Sequence, residues 1–405
     1  MSPTGRAPEW DRTQLLPDYN GRGLSALAPT VSGWFGVPLP DSPTLEQDVL
    51  PSSLFEGAER VVILLVDGLG MPRLERQLAT DPSLKLRDRV KSAGGAWSTI
   101  TSVAPSTTTA ALATVCTGLP PGEHGILGYR MLLPDMGRVA NMIQFVDVRD
   151  GSPIGVPPES MLDSPTIFDR FRRTGVEAHV ITRSDYLGSD LSRMLHAGAE
   201  MHGYEGLGEM AARLKRLTTR PGKRFVFCYW DLVDVISHGR GSNSPEVDEE
   251  IALLDLALSR AMAKGDGRTL LIVTADHGHS DWSPRAETYV DEIPPLAKTL
   301  PIPVGGDSRF LYLYTDDVNE TRKMAEKHLS SAAAILPRDR AIKEGLFGPR
   351  GVRGEYTGRI GDLVVVPAGN HSYRQSRPVG GHTMLGRHGG LSAEEMLVPL
   401  IAVRI

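Results

Sequence analysis

The chain has 405 residues, 40% of them hydrophobic and 23% charged, with a formal net charge of −5. That is the balance of an ordinary globular protein, and the charge excludes a global basic field that would draw it to a nucleic-acid polymer or an anionic membrane. Its two cysteines, Cys116 and Cys228, are too few for a disulfide framework, the N-terminal stretch lacks the apolar centre of a secretory signal, and the longest apolar run, residues 61–66, is too short to cross a bilayer, so a cytoplasmic protein is expected.

Residues 1–55 are rich in Pro, Gly and Ser around a short apolar stretch at 24–31, and they read as an irregular wrap with room for one helix. The pattern then alternates. Val61–Val66 is apolar on both faces and β-branched, as a strand buried in a parallel sheet should be. Similar runs follow at His179–Thr182, Arg224–Tyr229 and Thr269–Thr274, and again at Leu363–Val366. Helical spacing lies between them: Leu207, Met210, Leu214 and Leu217 share one face, as do Val247, Ile251, Leu254, Leu258 and Met262.

Strands alternating with helices predict an α/β fold, a mostly parallel central sheet with helices on both faces. Residues 282–377 carry Pro/Gly-rich segments around an expected strand at Arg309–Tyr314 and helix at Asn319–Ala334. They read as a small inserted α+β cap lobe within a single catalytic domain spanning 1–405. The charged run at 338–343 reads as a solvated face.

Three of the apolar runs end abruptly in ligand-type residues. Val61–Val66 runs into Asp67-Gly68; the run ending at Trp230 leads to Asp231, Asp234 and His238; Thr269–Thr274 leads to Asp276, His277 and His279. In an open parallel sheet, sites form at the carboxyl ends of strands, so these residues should converge. A fourth segment is Gly386-Arg-His388-Gly-Gly390. Carboxylate and imidazole are ligands that zinc and manganese accept. Singly, each has a structural reading: a helix cap for Asp67, a surface pair for Asp234 and His238, a turn residue for His388. Their joint occurrence favours a metal site.

Hydroxyls cluster after Pro105, at Ser106, Thr107, Thr108 and Thr109, followed by a small-residue run that reads as a helix. A helix N-terminus offers unpaired N–H groups and a positive dipole end to an anion. A threonine hydroxyl there needs a metal or a base to become a nucleophile.

In order, Val-Asp67-Gly, Pro-Ser-Thr-Thr108 with Thr117-Gly-Leu-Pro-Pro-Gly-Glu-His124-Gly-Ile, Asp234-x-x-x-His238, Ala-Asp276-His277-Gly and His388-Gly-Gly resemble the nucleotide pyrophosphatase/phosphodiesterase branch of the alkaline-phosphatase superfamily. The resemblance runs from Val61 towards the C-terminus. It implies two divalent metal ions, zinc or else manganese: one held by Asp234, His238 and His388, the other by Asp67, Asp276 and His277. Thr108, lying three residues after Pro105 and nine before Thr117, would bind between them as nucleophile. Three carboxylates and a Thr108 alkoxide give −4, matching two divalent cations. The expected reaction is hydrolysis of a small phosphodiester or nucleotide pyrophosphate through a phospho-threonine.

One position departs from the family pattern: the asparagine three residues after the nucleophile is Ala111 here. Oxyanion stabilisation must then come from the metals, the Thr109 N–H or another side chain. Tyr129, Arg130, Asn141 and His382 are candidate substrate contacts, while His124 and His279 read as structural. The alternatives on the same site are a phosphomonoesterase and a carbon–phosphorus hydrolase. A metal-binding protein without turnover is the alternative of another class. No Cys/Ser-x-Pro-x-Arg segment suggests a sulfatase, and the length and threonine disfavour a cofactor-independent mutase.

Overall fold

The computed structural model describes residues 14–263, 265–282, 286–329, 332–377 and 384–405. In chain order the strands are β1 (Arg60–Val66), β2 (Ala96–Thr101), β3 (Arg130–Leu133), β4 (Arg138–Asn141), β5 (Val146–Asp147), β6 (Glu177–Arg183), β7 (Glu200–Tyr204), β8 (Arg224–Trp230) and β9 (Thr269–Thr274). Then come β10 (Ser280–Asp281), β11 (Glu287–Tyr289), β12 (Gly305–Asp307), β13 (Phe310–Leu313), β14 (Ala333–Pro337), β15 (Leu363–Pro367), β16 (Ser372–Arg374), β17 (Gly386–Arg387) and β18 (Leu397–Arg404).

Among the described residues two seven-stranded sheets form. The central one has the order β2-β18-β9-β1-β8-β6-β7. Its strands β9, β1, β8, β6 and β7 are all parallel, and β18 runs antiparallel between β9 and β2. All seven residues of β1 are buried, because helices cover both faces. The expected helices appear at Leu207–Thr219 and Pro245–Ala263; the first buries Met210, Leu214 and Leu217 and the second Val247, Ile251, Leu254 and Leu258, with Leu207 and Met262 partly buried at the ends of the stripes. Among the described residues of the N-terminal stretch there is one α-helix, Leu27–Trp34.

The second sheet, β14-β15-β13-β12-β3-β4-β5, is antiparallel. Four of its strands come from the 282–377 segment and three from residues 130–147, joined where Gly306 pairs with Arg130. Leu363–Val366 therefore belongs here, not in the central sheet. Its run is apolar throughout because both faces are covered, which is also the signature of a parallel strand. The lobe's expected helix is shorter, Val318–Leu329, and is followed by β14. The two sheets are fastened by a buried ion pair. Arg309 donates to Glu395 through Nε at 3.0 Å and Nη2 at 2.8 Å, and both side chains are almost fully enclosed.

Candidate active site

The carboxyl ends of β9, β1 and β8 lie side by side, so the residues that follow them meet. Asp67 leaves β1 with its N–H bonded to the Trp230 carbonyl at 2.8 Å. Gly68 follows with φ +75, and its N–H donates to Asp276 Oδ1 at 3.1 Å. A Cβ at Gly68 would lie 2.8 Å from His279 Nε2 and 3.0 Å from Asp234 Cα, so only glycine lets these segments close. Asp234 and His238 stand one turn apart on the helix Leu232–Arg240. Asp231 takes no part: its carboxylate accepts from the Tyr186 hydroxyl at 2.6 Å and Arg183 at 3.4 Å.

Two acid–imidazole groups result. Asp67, Asp276 and His277 form the first, with His277 Nε2 3.4 Å from Asp67 Oδ1 and from Asp276 Oδ2. In the second, Asp234 Oδ1 lies 3.4 Å from His238 Nε2 and 3.7 Å from His388 Nε2. The groups abut, since the His277 and His388 rings stack with centroids 3.7 Å apart.

The donor chemistry fits divalent cations. His277, His238 and His388 each place Nδ1 against a backbone carbonyl, those of Gly278 at 3.2 Å, Gly386 at 2.8 Å and Ser106 at 3.2 Å. Donation from Nδ1 leaves every Nε2 lone pair facing the acids, the arrangement that orients metal-binding imidazoles. Asp67 Oδ1 and Asp276 Oδ2 are buried without a hydrogen-bond partner. Burial, then the adjoining Asp276 and Asp234, hold Asp67 well above the ordinary carboxylate range, the mark of crowded acid needing a counter-charge. Burial also keeps His238 and His388 below their usual value, hence neutral and able to ligate.

Thr108 opens the buried helix Thr108–Thr117, which ends at Gly118 with φ +72. Its Oγ1 lies 3.1 Å from His277 Nε2. The preceding loop is stitched to the His388 loop: the Ser106 N–H donates to the Gly389 carbonyl at 3.2 Å and its hydroxyl to that of Gly390 at 2.7 Å. Glu395, held by Arg309, accepts the Gly390 N–H at 2.9 Å. The lobe's anchor therefore also positions the His388 loop.

His279, read from the sequence as structural, stands against the second group. Its Nε2 sits 2.8 Å from Asp234 Oδ1, closer than either His238 or His388, and its Nδ1 is buried and unpartnered. The available signal was its place two residues after His277, across a glycine whose Cβ would strike the Glu394 carbonyl at 2.1 Å. His124 is structural, bonded to Thr114 Oγ1 at 3.0 Å and to the Ile126 N–H at 3.1 Å.

A cleft of about 340 Å³ opens onto Thr108, Asp234, His238 and His388. Tyr129, Arg130, Asp307 and Arg374 form part of its other wall. Asn141 stands behind Tyr129, its Nδ2 donating to the phenolic oxygen at 2.9 Å. Asp307 accepts from the Tyr129 N–H and the Thr107 hydroxyl, both at 3.3 Å, and burial pushes its carboxyl up to about 7. His382 lies outside the described residues.

The family model for type I phosphodiesterase / nucleotide pyrophosphatase matches residues 61–391. The chain belongs to that family, and is thus a hydrolase of phosphoester bonds in the alkaline-phosphatase superfamily. Among solved structures it is similar to murine ectonucleotide pyrophosphatase / phosphodiesterase 5 (TM-score 0.65, 17% identity, 84% of this chain and 87% of that one). An inactive form of that murine protein in complex with AMP matches at TM-score 0.64 and 17% identity, over 85% and 87% of the two chains. Phosphonoacetate hydrolase from Sinorhizobium meliloti 1021, in complex with phosphonoacetate, matches at 0.62 with 22% identity, over 85% and 89%. No curated protein matches the chain.

Proposed function

We propose that this protein hydrolyses a small phosphodiester or nucleotide pyrophosphate, with Thr108 as nucleophile. The observation that carries the reading is the convergence of three Nε2 lone pairs and three carboxylates beside a hydroxyl at the start of a buried helix. Asp67, Asp276 and His277 would hold one divalent cation and Asp234, His238 and His388 the other, zinc being the first choice for this donor set and manganese the second. Such cations, when bound, supply Lewis-acid charge that activates the nucleophile and offsets the phosphoryl oxygens.

The chain's own groups do the rest. The Thr108 oxygen bonds to phosphorus as the bond to the leaving oxygen breaks. Water then cleaves the phospho-threonine and restores the hydroxyl. With alanine at position 111, stabilisation of the phosphoryl oxygens would fall to the cations and to the N–H groups of the first turn of the helix, which lack partners within it. Arg130 and Arg374 on the cleft wall favour a second anionic or polar group on the substrate. The cleft's size suits a nucleotide-scale molecule and not a polymer. Two buried free thiols fit a cytoplasmic location, and no helix among the described residues is long and apolar enough to cross a membrane.

A second reading, carbon–phosphorus hydrolysis, draws on the same arginines and on the likeness to phosphonoacetate hydrolase. The test compares zinc-loaded protein on bis-p-nitrophenyl phosphate, the p-nitrophenyl ester of thymidine monophosphate, p-nitrophenyl phosphate and phosphonoacetate. Faster cleavage of the diesters supports the proposal; preference for the monoester or for phosphonoacetate overturns it in favour of that branch.

A further inference from the structure

At the opposite end of the central sheet from the cleft, three ligand-type side chains meet with no role in the chemistry above. His179 lies near the start of β6, and Glu200 and His202 lie on β7, the edge strand. The parallel register pairs His179 with Glu200 and Ile181 with His202, so alternation puts all three side chains on one face. His179 Nδ1 is 3.0 Å from His202 Nε2 and 3.4 Å from Glu200 Oε2, and His202 Nε2 is 3.7 Å from Glu200 Oε1. Ligands placed tetrahedrally around zinc at its usual bond lengths stand about 3.3–3.4 Å apart, so these separations bracket that value.

We propose that His179, Glu200 and His202 form a further cation site of the zinc type, which clamps the edge strand β7 to β6.

The groups around the site agree with this. The His179 side chain is 3% exposed, and its other ring nitrogen, Nε2, is buried without a hydrogen-bond partner, facing the Glu177 carboxylate at 3.6 Å. A carboxylate behind a metal-bound imidazole is the usual way of orienting one. Glu177 is itself held by Arg224 Nε at 2.8 Å. Arg213 and Arg220 lie near His202 and oppose its protonation, while Arg213 is tied to Glu209 at 2.7 Å. The Glu200 side chain is 67% exposed, so the fourth position opens to water. Two imidazoles and one carboxylate also avoid like-charge crowding, which a cluster of acids alone would suffer.

The test is zinc binding by the full chain, stripped with chelator and dialysed against zinc, with bound metal measured per chain. His202→Ala should bind one equivalent fewer than the parent, and Glu200→Gln, at an exposed position that cannot compromise folding, should weaken that same equivalent at least tenfold. Phosphodiesterase activity of both variants should stay at the parental level. The comparison is a difference between chains, so it stands whatever the catalytic site binds. Equal zinc content and affinity in the parent and both variants would overturn the proposal and leave a plain His–His hydrogen bond.

Discussion

The central sheet presents its acids and imidazoles from the ends of long buried strands, whereas the second sheet brings Tyr129, Arg130 and Asp307 to the cleft at the ends of strands of only three or four residues. The first set is fixed by parallel hydrogen bonding and by glycines that allow backbone contact. The second set depends on antiparallel pairing between segments far apart in sequence, such as Gly306 with Arg130. In the proposed reading the acids that hold the cations therefore sit on the more extensively paired frame, and the groups offered to the substrate sit on the shorter strands. One buried pair, Arg309 with Glu395, keeps the two in register.

That division can be broken at either side. The largest effect is expected from metal removal. Chelator should abolish turnover and lower the melting temperature, since a cation bound to the folded state at a thousand times its Kd adds about 4 kcal/mol. An unchanged melting curve would contradict the crowded acids around Asp67. Next, Glu395→Ala leaves Arg309 charged and buried, and should cost about 3–5 kcal/mol in denaturant unfolding. It should also reduce activity by loosening the His388 loop; a neutral result would show that the sheets do not depend on each other. Third, Arg130→Ala should lower kcat/KM on charged substrates about 10- to 100-fold, the worth of one lost hydrogen bond to a charged group, while metal content stays constant.

The smallest effect concerns a residue outside both sites. His196 is buried with neither ring nitrogen partnered, packed against Phe168 and Phe227, and burial depresses it to about 4 from 6.5. Its neutral form is favoured in the fold, so its contribution is complete above pH 6.5 and is lost as pH falls from there through 4. Melting temperature should drop across that window, and His196→Leu should flatten the slope. An unaltered slope would place the acid sensitivity elsewhere, for example at His124, which burial lowers to about 3.

The parallel core was legible because β1, β8 and β9 are apolar runs of 7, 7 and 6 residues that lead into Asp or His, a combination that helix caps and surface pairs seldom produce three times in one chain. The helix that Thr108 opens was legible from the hydroxyl cluster after Pro105 and the small-residue run behind it. The second sheet was much less so. Strand β12 is Gly-Gly-Asp, which carries no strand signal, and β15 looks like a parallel strand from composition alone. Strands β2 and β18 were missed because β2 mixes polar with apolar residues and is only partly buried, and β18 carries a proline, Pro399, inside its run. The contact of His279 with Asp234 was not legible, since it depends on glycine-mediated contact between separate segments, which spacing along one segment cannot show.

The most direct test of the account is the Thr108→Ala variant, assayed on the preferred diester with its metal content measured alongside. The account predicts that the protein keeps its full complement of metal while turnover falls by about 10³-fold or more, as expected when a covalent nucleophile is lost. Parental activity in that variant would contradict the role given to Thr108, and with it the reading of the cleft as a phospho-threonine site.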